Sequence, residues 1–277
     1  MPDVPISVVI PAYNSERFIR QAIESILAQT FSVEEIIVVD NNCTDRTMEI
    51  AAELGAKVVK QTKQNLSATR NTGISVCRND WIAFLDSDDL WEKEKIEYQW
   101  QAIETFPKAR IITCDSFLLN EQTQVKAALP KLDKPEVGFE IQRISGEEYL
   151  FCPIVEADLF TKIKVNASTV IYHREVFSQI GMFDEEMLYG EALEFVMRAM
   201  GRFSVALARK ELTSIRRHDQ NRTLERDIID KYYILTAEKV AKFPNDFPPG
   251  TLDYFRKIVK LRFTAKGREL AKQIGVN

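Results

Sequence analysis

The sequence predicts an α/β protein with a mostly parallel central sheet flanked by helices, followed by a helical extension at the C-terminus. Short apolar, β-branched runs recur along the first half of the chain, as in strands buried on both faces. Segments with apolar residues at helical spacing separate these runs. Strands that alternate with helices of this length form βαβ units with right-handed crossovers.

The composition is that of an ordinary globular protein, and it argues against several other classes. The net charge of -4 on 277 residues argues against a dedicated nucleic-acid binder. No apolar run approaches the roughly 20 residues that cross a bilayer, and the first residues do not have the pattern of a signal peptide. The four cysteines stand far apart, as reduced thiols do in the cytoplasm. We therefore expect a cytoplasmic protein that contacts at most the inner face of the membrane.

Five strands and four helices are predicted in the first half of the chain. The predicted strands are 6–10, 36–39, 57–60, 81–85 and 109–114. The predicted helices run from a cap at Asn14 or Ser15 to Gln29, from a cap at Thr44 and Asp45 to Gly55, over 67–77 and over 92–105.

Residues 120–164 show no regular strand or helix pattern, and their prolines and mixed charges predict an irregular connecting segment that crosses the ligand-binding, carboxyl edge of the sheet. The elements expected beyond it are strands at 165–172 and 204–208, a short helix within 173–184 that Gly181 closes, a helix at 191–200, a basic loop at 216–221, and final helices at 224–243 and 251–274. The final two helices would form the C-terminal extension.

The chemistry concentrates in the stretch Trp81–Asp89, WIAFLDSDD, where an apolar strand breaks off into three carboxylates. Asp86 and Asp88 alternate with Ser87, so that in extended backbone both carboxylates point the same way. Two such carboxylates repel each other unless a cation lies between them, which favours a divalent metal ion that carries a polyanionic ligand. The alternative is that Asp88 or Asp89 caps the next helix.

Parallel strands would bring three polar loops together at the carboxyl edge of the sheet. Tyr13 follows the first strand, 40–42 the second and 86–89 the fourth. The sequence after the first strand, PAYNSE, has neither a glycine-rich dinucleotide turn nor a P-loop, so a bound nucleotide would rely on the metal. Asp40 would accept a hydrogen bond from the base, Tyr13 would stack on it and Arg70 would add a polar contact. Each residue alone also suits a structural role, as a loop cap, in packing or on a solvated helix face.

Six ordered motifs stand at a spacing typical of one enzyme family. They are VVIPAYN, EEIIVVDNNCTDRT, SATRNTGI, WIAFLDSDD, VNASTVIYHREVFSQIGMFDEEM and LTSIRRH, within about 6–223. Together they resemble family 2 inverting glycosyltransferases with the GT-A, or nucleotide-diphospho-sugar transferase, fold. The resemblance implies a catalytic domain of residues 1–223, with a nucleotide-binding half to about 117 and an acceptor half from about 118, and leaves 224–277 as the helical extension.

The resemblance also implies a reaction and a set of site residues. A sugar would pass in a single in-line displacement from a nucleotide diphosphate donor, usually UDP-linked, to a hydroxyl of a glycan or lipid-linked acceptor, as in polysaccharide biosynthesis. Mg or Mn would assist the leaving group and a carboxylate would act as the base. The implied donor-binding residues are Pro11, Ala12, Tyr13, Asp40, Asn42, Arg70, Asp86 and Ser87. The implied metal ligands are Asp86, Asp88 and His218.

The catalytic base expected from the resemblance is replaced in this chain. The family carries a Glu-Asp pair on the helix 191–200, with the aspartate as the base, and here the pair reads Glu191-Ala192. Glu191 is the adjacent carboxylate, and Glu194 lies on the same polar stripe as Glu191 and Arg198. The candidate catalytic residues are therefore Glu191 and Glu194, with a structural pair between Glu194 and Arg198 as the alternative. A catalytically silent sugar-nucleotide-binding protein is the alternative function.

Two further enzyme classes share parts of this pattern. FLDSDD superficially resembles an aspartyl phosphotransferase motif with Asp86 as the nucleophile, although Leu90 stands where Thr or Val is expected. A nucleotidyltransferase would use the same carboxylates and metal on a nucleoside triphosphate.

The segment 251–274 is basic and amphipathic. Such a helix can lie on an anionic membrane surface, where a lipid-linked acceptor is found. Alternatively, it packs on its own domain or on a second subunit of a homodimer.

Overall fold

Helices cover both faces of one sheet in the computed structural model, which describes residues 2–129, 140–144, 146–153, 165–187, 190–219, 221 and 226–262. The strands are β1 (Asp3–Ala12), β2 (Ser32–Asp40), β3 (Lys57–Lys60), β4 (Trp81–Phe84), β5 (Leu90–Trp91), β6 (Ile111–Asn120), β7 (Lys126–Ala128), β8 (Glu140–Ile144), β9 (Glu147–Cys152), β10 (Ile171–His173) and β11 (Val205–Arg217). Their order is β3-β2-β1-β4-β10-β6-β11-β9-β8, with β5 paired to β11 and β7 to β6.

The sheet is mostly parallel at its centre. Strands β3, β2, β1 and β4 run parallel, and β10 is antiparallel to both β4 and β6. Strand β6 therefore runs in the direction of β4, and β11 pairs with β6 in parallel. Strands β9 and β8 add an antiparallel edge beyond β11. The α/β fold class with a mostly parallel sheet is confirmed.

Eight α-helices are described. They are α1 (Ile19–Leu27), α2 (Thr47–Glu53), α3 (Leu66–Val76), α4 (Lys95–Thr105), α5 (Arg174–Ile180), α6 (Glu191–Met200), α7 (Arg226–Lys242) and α8 (Thr251–Arg262). Two 3-10 turns, Ala167–Thr169 and Pro244–Asp246, complete the helical elements of the described ranges.

Alternate side chains of the buried strands divide the core into two layers. Val9 of β1 belongs to a cluster with residues of α3, α5, α6, α7 and α8, whereas Val8 belongs to a cluster with residues of α1, α2 and α4. Gly73 of α3 allows close contact with β1, because an added Cβ would lie 2.3 Å from Cγ1 of Val9. Helices therefore pack against the sheet on both of its faces, and α3 lies close to β1.

The predicted helix caps at Asn14, Ser15 and Thr44 are wrong. Helix α1 begins after Phe18 and α2 after Arg46, and neither of these two residues caps its helix with a side chain. Asp45 does serve the start of α2, because its Oδ1 accepts from the Thr47 backbone N–H at 3.0 Å. The Asn14 side chain instead accepts a hydrogen bond from the Thr44 backbone N–H at 2.8 Å, which joins the two loops. A polar side chain near a helix start can equally serve a neighbouring loop, and here the tertiary contact is the one made.

Several predicted boundaries shift because strand pairing extends or displaces them. Leu90 pairs with β11 as part of β5, so α4 begins at Lys95 and neither Asp88 nor Asp89 caps it. The strand expected at 165–172 begins at Ile171, because Asn166 caps the 3-10 turn before it. Strands β6 and β11 are longer than predicted and run to Asn120 and Arg217, whereas α5 ends at Ile180 with the predicted Gly181 as its cap. Three strands that were not predicted, β7, β8 and β9, lie within the irregular segment 120–164.

The C-terminal helices pack on the domain itself where the structure describes them. Phe255 of α8 is fully buried in the core and lies 6.2 Å, ring to ring, from Tyr233 of α7. This contact agrees with the alternative that the extension packs on its own domain. Residues 263–277 of the predicted amphipathic segment lie outside the described residues, so membrane contact and a homodimer stay predictions. None of the described helices has the length and apolar character needed to cross a membrane.

Candidate active site

The carboxyl edge of the sheet opens into a cavity of about 790 Å³. Strand register brings its walls together: Ala12 lies opposite Asp40 at the ends of β1 and β2, and β11 ends at the same edge because it runs in the direction of β4. The predicted residues that line the cavity are Pro11, Ala12, Tyr13, Arg70, Asp86, Ser87, Asp88, Glu191 and His218.

Arg70 joins two carboxylates inside the cavity. Its guanidinium donates to Asp86 Oδ1 at 3.0 Å and to Glu191 Oε1 at 2.7 Å. The Arg70 side chain is only 2% exposed, while those of Asp86 and Glu191 are 31% and 11% exposed. Nε of Arg70 has no partner among the described residues, which is unusual for a buried donor. The buried guanidinium of Arg70 thus links the acidic loop after β4 to the first turn of α6.

Glu194 lies away from the cavity and inside the core. It is fully buried, accepts from Nε of Arg198 at 2.8 Å and lies 3.0 Å from Nζ of Lys239. The guanidinium of Arg198 also donates to the carbonyls of Ile180 and Met182. The structure therefore contains the predicted structural pair and does not bring Glu194 to the cavity.

Asp88 faces a different group from Asp86. Its Oδ2 lies 2.9 Å from Nε2 of His218 and accepts from the Asn221 side-chain amide at 3.1 Å. The His218 ring stacks on Phe18 with 4.4 Å between centroids. Burial and the nearby Asp86 carboxylate raise the pKa of Asp88, although the hydrogen bond and charge of His218 act in the opposite direction. Asp86 and Asp88 therefore have different partners, Arg70 for the first and His218 for the second.

Asp89 is buried and ties the acidic loop to two other elements. Its Oδ2 accepts from the Ser168 hydroxyl at 2.6 Å, and its Oδ1 accepts from the Arg216 backbone N–H at 2.9 Å. Ser168 Oγ in turn accepts from the Asp86 backbone N–H at 3.0 Å. Burial, followed by the charges of Asp88 and Asp86, raises the pKa of Asp89 well above its ordinary value. The two hydrogen bonds hold the loop conformation, and Asp89 also lines the cavity next to Asp88.

Two predicted donor-binding residues, Asp40 and Asn42, do not line the cavity among the described residues. Asp40 Oδ1 accepts from the Cys43 backbone N–H at 2.7 Å, which matches the loop-capping alternative. Asn42 has a left-handed backbone with φ of 64° and its side chain lies 3.5 Å from the Thr62 carbonyl. Asp40 is the last residue of β2, opposite Ala12, and Asn42 lies in the loop that follows. The predicted basic loop also differs, because Arg216 and Arg217 belong to β11 and His218 follows directly after it.

Sequence reasoning missed the residues that orient the predicted ones. Phe18 has the helical spacing of a core residue and gave no sign that it stacks on His218. Ser168 belongs to the fifth motif and Asn221 to the predicted basic loop 216–221, yet nothing in either stretch indicates their partners. Tyr232 and Tyr233 of α7 line the cavity although they belong to the predicted extension. Such contacts depend on tertiary structure and have no local pattern.

Comparison with solved structures identifies the class of fold. The structure of Staphylococcus aureus TarS 1-349 in complex with UDP-GlcNAc matches 98% of this chain and 79% of that chain, with a TM-score of 0.66 and 19% identity. The TarS 1-349 complex with UDP matches 96% of this chain and 77% of that chain, with a TM-score of 0.62 and 19% identity. The fold is thus the GT-A glycosyltransferase fold predicted from the motifs.

Sequence comparison then gives the family. The profile described as glycosyl transferase family 2 matches residues 7–153, and the chain belongs to this family. An uncharacterised glycosyltransferase of Rickettsia typhi is 28% identical over 222 residues, or 79% of this chain and 65% of the relative. The uncharacterised glycosyltransferase EpsJ of Bacillus subtilis is 28% identical over 205 residues, or 70% of this chain and 55% of EpsJ. The aligned region thus spans about half to two thirds of the length of these relatives.

Proposed function

We propose that the protein is a metal-dependent inverting glycosyltransferase that moves a sugar from a nucleotide diphosphate sugar, UDP-linked, to a hydroxyl of a glycan or lipid-linked acceptor in polysaccharide biosynthesis. The observation that carries this proposal is the Arg70 bridge between Asp86 and Glu191, inside a cavity that also holds Asp88 beside His218. Membership of glycosyl transferase family 2 and the similarity to TarS structures in complex with UDP and UDP-GlcNAc support this donor class.

The donor nucleotide would occupy the Tyr13 side of the cavity. The Tyr13 side chain is 43% exposed and so offers its ring to a base, next to Pro11 and Ala12. Asp40 and Asn42 follow the neighbouring strand and would contact the base from the adjoining loop. The diphosphate would then point towards Asp86, Ser87 and Asp88.

The side chains of Asp88 and His218 suit a metal ion that is shared with a diphosphate. No group of three or more His, Cys, Asp or Glu side chains within the described ranges could hold a metal by itself. Mg is commonly bound by one or two carboxylates together with substrate phosphates, so such a cage is not required. Asp88 and His218 would hold the ion, and Asp86, through Oδ1, stays with Arg70. When bound, a divalent ion neutralises charge on the leaving diphosphate.

Glu191 is the carboxylate that would take the proton from the acceptor hydroxyl. It lies at the first position of α6, lines the cavity and is oriented by Arg70. Ala192, at the family's base position, also lines the cavity and offers only a methyl group. This observation favours the second candidate, a silent sugar-nucleotide binder. The aspartyl phosphotransferase alternative is weakened by the ion pair that occupies Oδ1 of Asp86, its nucleophile.

The test is turnover of a panel of nucleotide sugars with Mn, measured as hydrolysis and as transfer to glycan acceptors. We expect Asp88→Asn to abolish metal-dependent turnover and Glu191→Gln to reduce transfer by about 10²-fold or more, with donor binding retained. Asp80→Asn, at a carboxylate whose side chain is 72% exposed, is the matched control and should behave as the parent chain.

Three outcomes separate the candidates. Turnover that is lost in Asp88→Asn and reduced in Glu191→Gln supports the transferase. Metal-dependent UDP binding without turnover of any donor favours the silent binder. Absence of both nucleotide-sugar binding and turnover contradicts both candidates.

A further inference from the structure

The wall of the cavity beside Glu191 comes from the C-terminal helix α7. Tyr232 and Tyr233 line the cavity together with Glu191, Ala192 and Leu193 of α6. The predicted extension thus contributes directly to the site. Neither the motifs nor the proposed donor and metal contacts use these two tyrosines.

Close backbone contact fixes α7 against the start of α6. Gly190 precedes Glu191 with a left-handed φ of 81°, and an added Cβ would lie 2.8 Å from the Tyr232 carbonyl and 2.7 Å from the Thr236 hydroxyl. Only glycine suits both this backbone conformation and this space. The position of Tyr232 is therefore set relative to the carboxylate of Glu191.

The two tyrosines differ in how they are held. Tyr233 packs against the core cluster and lies 6.2 Å, ring to ring, from the buried Phe255. Tyr232 is half-buried and meets Tyr233 edge-on at 5.7 Å. Burial, followed by the charge of Glu191, raises the pKa of Tyr232, so that its hydroxyl stays protonated beside this carboxylate. Tyr233 anchors the pair, and Tyr232 offers ring surface to the cavity.

We propose that Tyr232 forms a subsite for a pyranose ring next to Glu191, with Tyr233 as its support. This inference rests on the proposed function, because it takes Glu191 as the reacting end of the cavity. Aromatic rings offer a large, rigid apolar surface that matches the C–H face of a sugar, and binding pockets combine such surfaces with a few polar groups. The small Ala192 side chain leaves space beside the ring. The pyranose belongs either to the donor or to the acceptor.

The experiment compares Tyr232→Ala and Tyr232→Phe in the full chain with Mn. Calorimetry gives the affinities for UDP and for UDP-GlcNAc, and product analysis gives the ratio of transfer to hydrolysis with methyl glycosides of glucose, galactose and N-acetylglucosamine as acceptors. We expect Tyr232→Ala to leave UDP affinity within about twofold and to lower one ratio by about tenfold. A lower ratio of UDP-GlcNAc to UDP affinity indicates the donor sugar, and a lower ratio of transfer to hydrolysis indicates the acceptor sugar.

Two controls keep the result specific. Tyr232→Phe keeps the ring and should retain most of the affected ratio. Tyr254→Ala removes a partly buried tyrosine of α8 that packs on the core without lining the cavity, and should change neither ratio. Unchanged ratios in Tyr232→Ala, or equal losses in Tyr232→Phe and Tyr232→Ala, would overturn the subsite.

Failure of the proposed function gives a different result. In that case the parent chain binds no UDP-sugar and turns none over. NMR titration of the parent chain and of Tyr232→Ala with the same methyl glycosides then tests the subsite alone. Binding that depends on Tyr232 supports it, and equal or absent binding overturns it.

Discussion

Helix α6 carries two glutamates one turn apart, and the fold gives them opposite surroundings. Glu191 lies at the cavity, paired with a buried arginine that also holds Asp86. Glu194 is sealed in the core between Arg198 and Lys239. Both residues belong to the same polar stripe in sequence, yet Glu191 faces the cavity and Glu194 faces the protein interior.

This difference shows that the role of a carboxylate depends on which structural elements carry its ion-pair partners. The partner of Glu191 is Arg70 on α3, which also holds Asp86, so a change at Arg70 alters two carboxylates that line the cavity. The partners of Glu194 lie on α6 and α7 and hold two helices together. We therefore expect changes at Glu194 to affect stability and changes around Glu191 to affect activity.

The largest effect on stability is expected for Glu194→Gln. The change leaves the buried guanidinium of Arg198 without a carboxylate and takes one of two carboxylates from the partly buried Lys239, which should lower the free energy of unfolding by about 3–5 kcal/mol. Urea denaturation at neutral pH measures this loss. Glu53→Gln, which breaks an exposed pair with Arg20, should cost less than about 1 kcal/mol. Equal losses in the two variants would contradict the structural role of Glu194.

The next effect is on activity and concerns Arg70→Lys. A lysine ammonium cannot reproduce the two-pronged contact of a guanidinium with Asp86 and Glu191, so kcat/KM should fall about 100-fold, or about 2.7 kcal/mol. Arg198→Lys is the matched change on the Glu194 side. It should lower the unfolding free energy while leaving the kcat/KM of the folded fraction close to that of the parent chain. The comparison fails if Arg198→Lys reduces kcat/KM as much as Arg70→Lys.

A smaller effect is expected for Ser168→Ala. The hydroxyl serves both the Asp89 carboxylate and the Asp86 backbone N–H, and its loss leaves buried polar groups unpaired at a cost of about 1–2 kcal/mol. Because the same loop carries Asp88, we also expect a weaker Mn dependence of turnover. Ser75→Ala removes an exposed hydroxyl bound to the Thr72 carbonyl and controls for loss of a serine. A Mn midpoint equal to that of the parent chain would restrict Ser168 to a role in stability.

The first half of the fold could be predicted because its signals are local. Continuous apolar runs mark β1, β2 and β4, and helical spacing marks α1. Elements defined by distant partners were not predicted. Strand β5 is two residues long and exists through its pairing with β11, and β11 extends past Ala208 because β6 lies beside it. No sequence window contains this information.

The site follows the same rule. The acids after β4 could be predicted because a strand that ends in carboxylates places them at the sheet edge. Asp86 points towards Arg70 and Asp88 towards His218, and both partners are distant in sequence from the acids that they contact. The sequence stripe on α6 predicted Glu191 and Glu194 equally, because their difference comes from α3 and α7. Only packing separates the two glutamates.

The smallest effect is expected for Asp184→Asn, on the Glu194 side of α6. Asp184 Oδ2 accepts from Nζ of Lys239 at 2.6 Å, so both carboxylates share one lysine. Burial alone would raise the pKa of Asp184, but the hydrogen bonds from Lys239 and the Glu186 backbone and the charges of Lys239 and Arg198 outweigh it and lower the pKa below 3.8. A carboxyl group with a lowered pKa in the folded state stabilises that state above its unfolded pKa, and this contribution disappears as pH falls through the folded pKa.

The Asp184→Asn variant should therefore be less stable than the parent chain at pH 7, by less than about 1 kcal/mol because Asp184 is partly exposed. The difference should shrink below about pH 4 and vanish at lower pH, where Asp184 is protonated in the parent chain. Urea denaturation between pH 7 and pH 2.5 measures it, and Asp253→Asn, at a side chain that is 78% exposed, is the control. A difference that grows as pH falls would contradict the lowered pKa of Asp184 and, with it, a stabilising ion pair between Asp184 and Lys239.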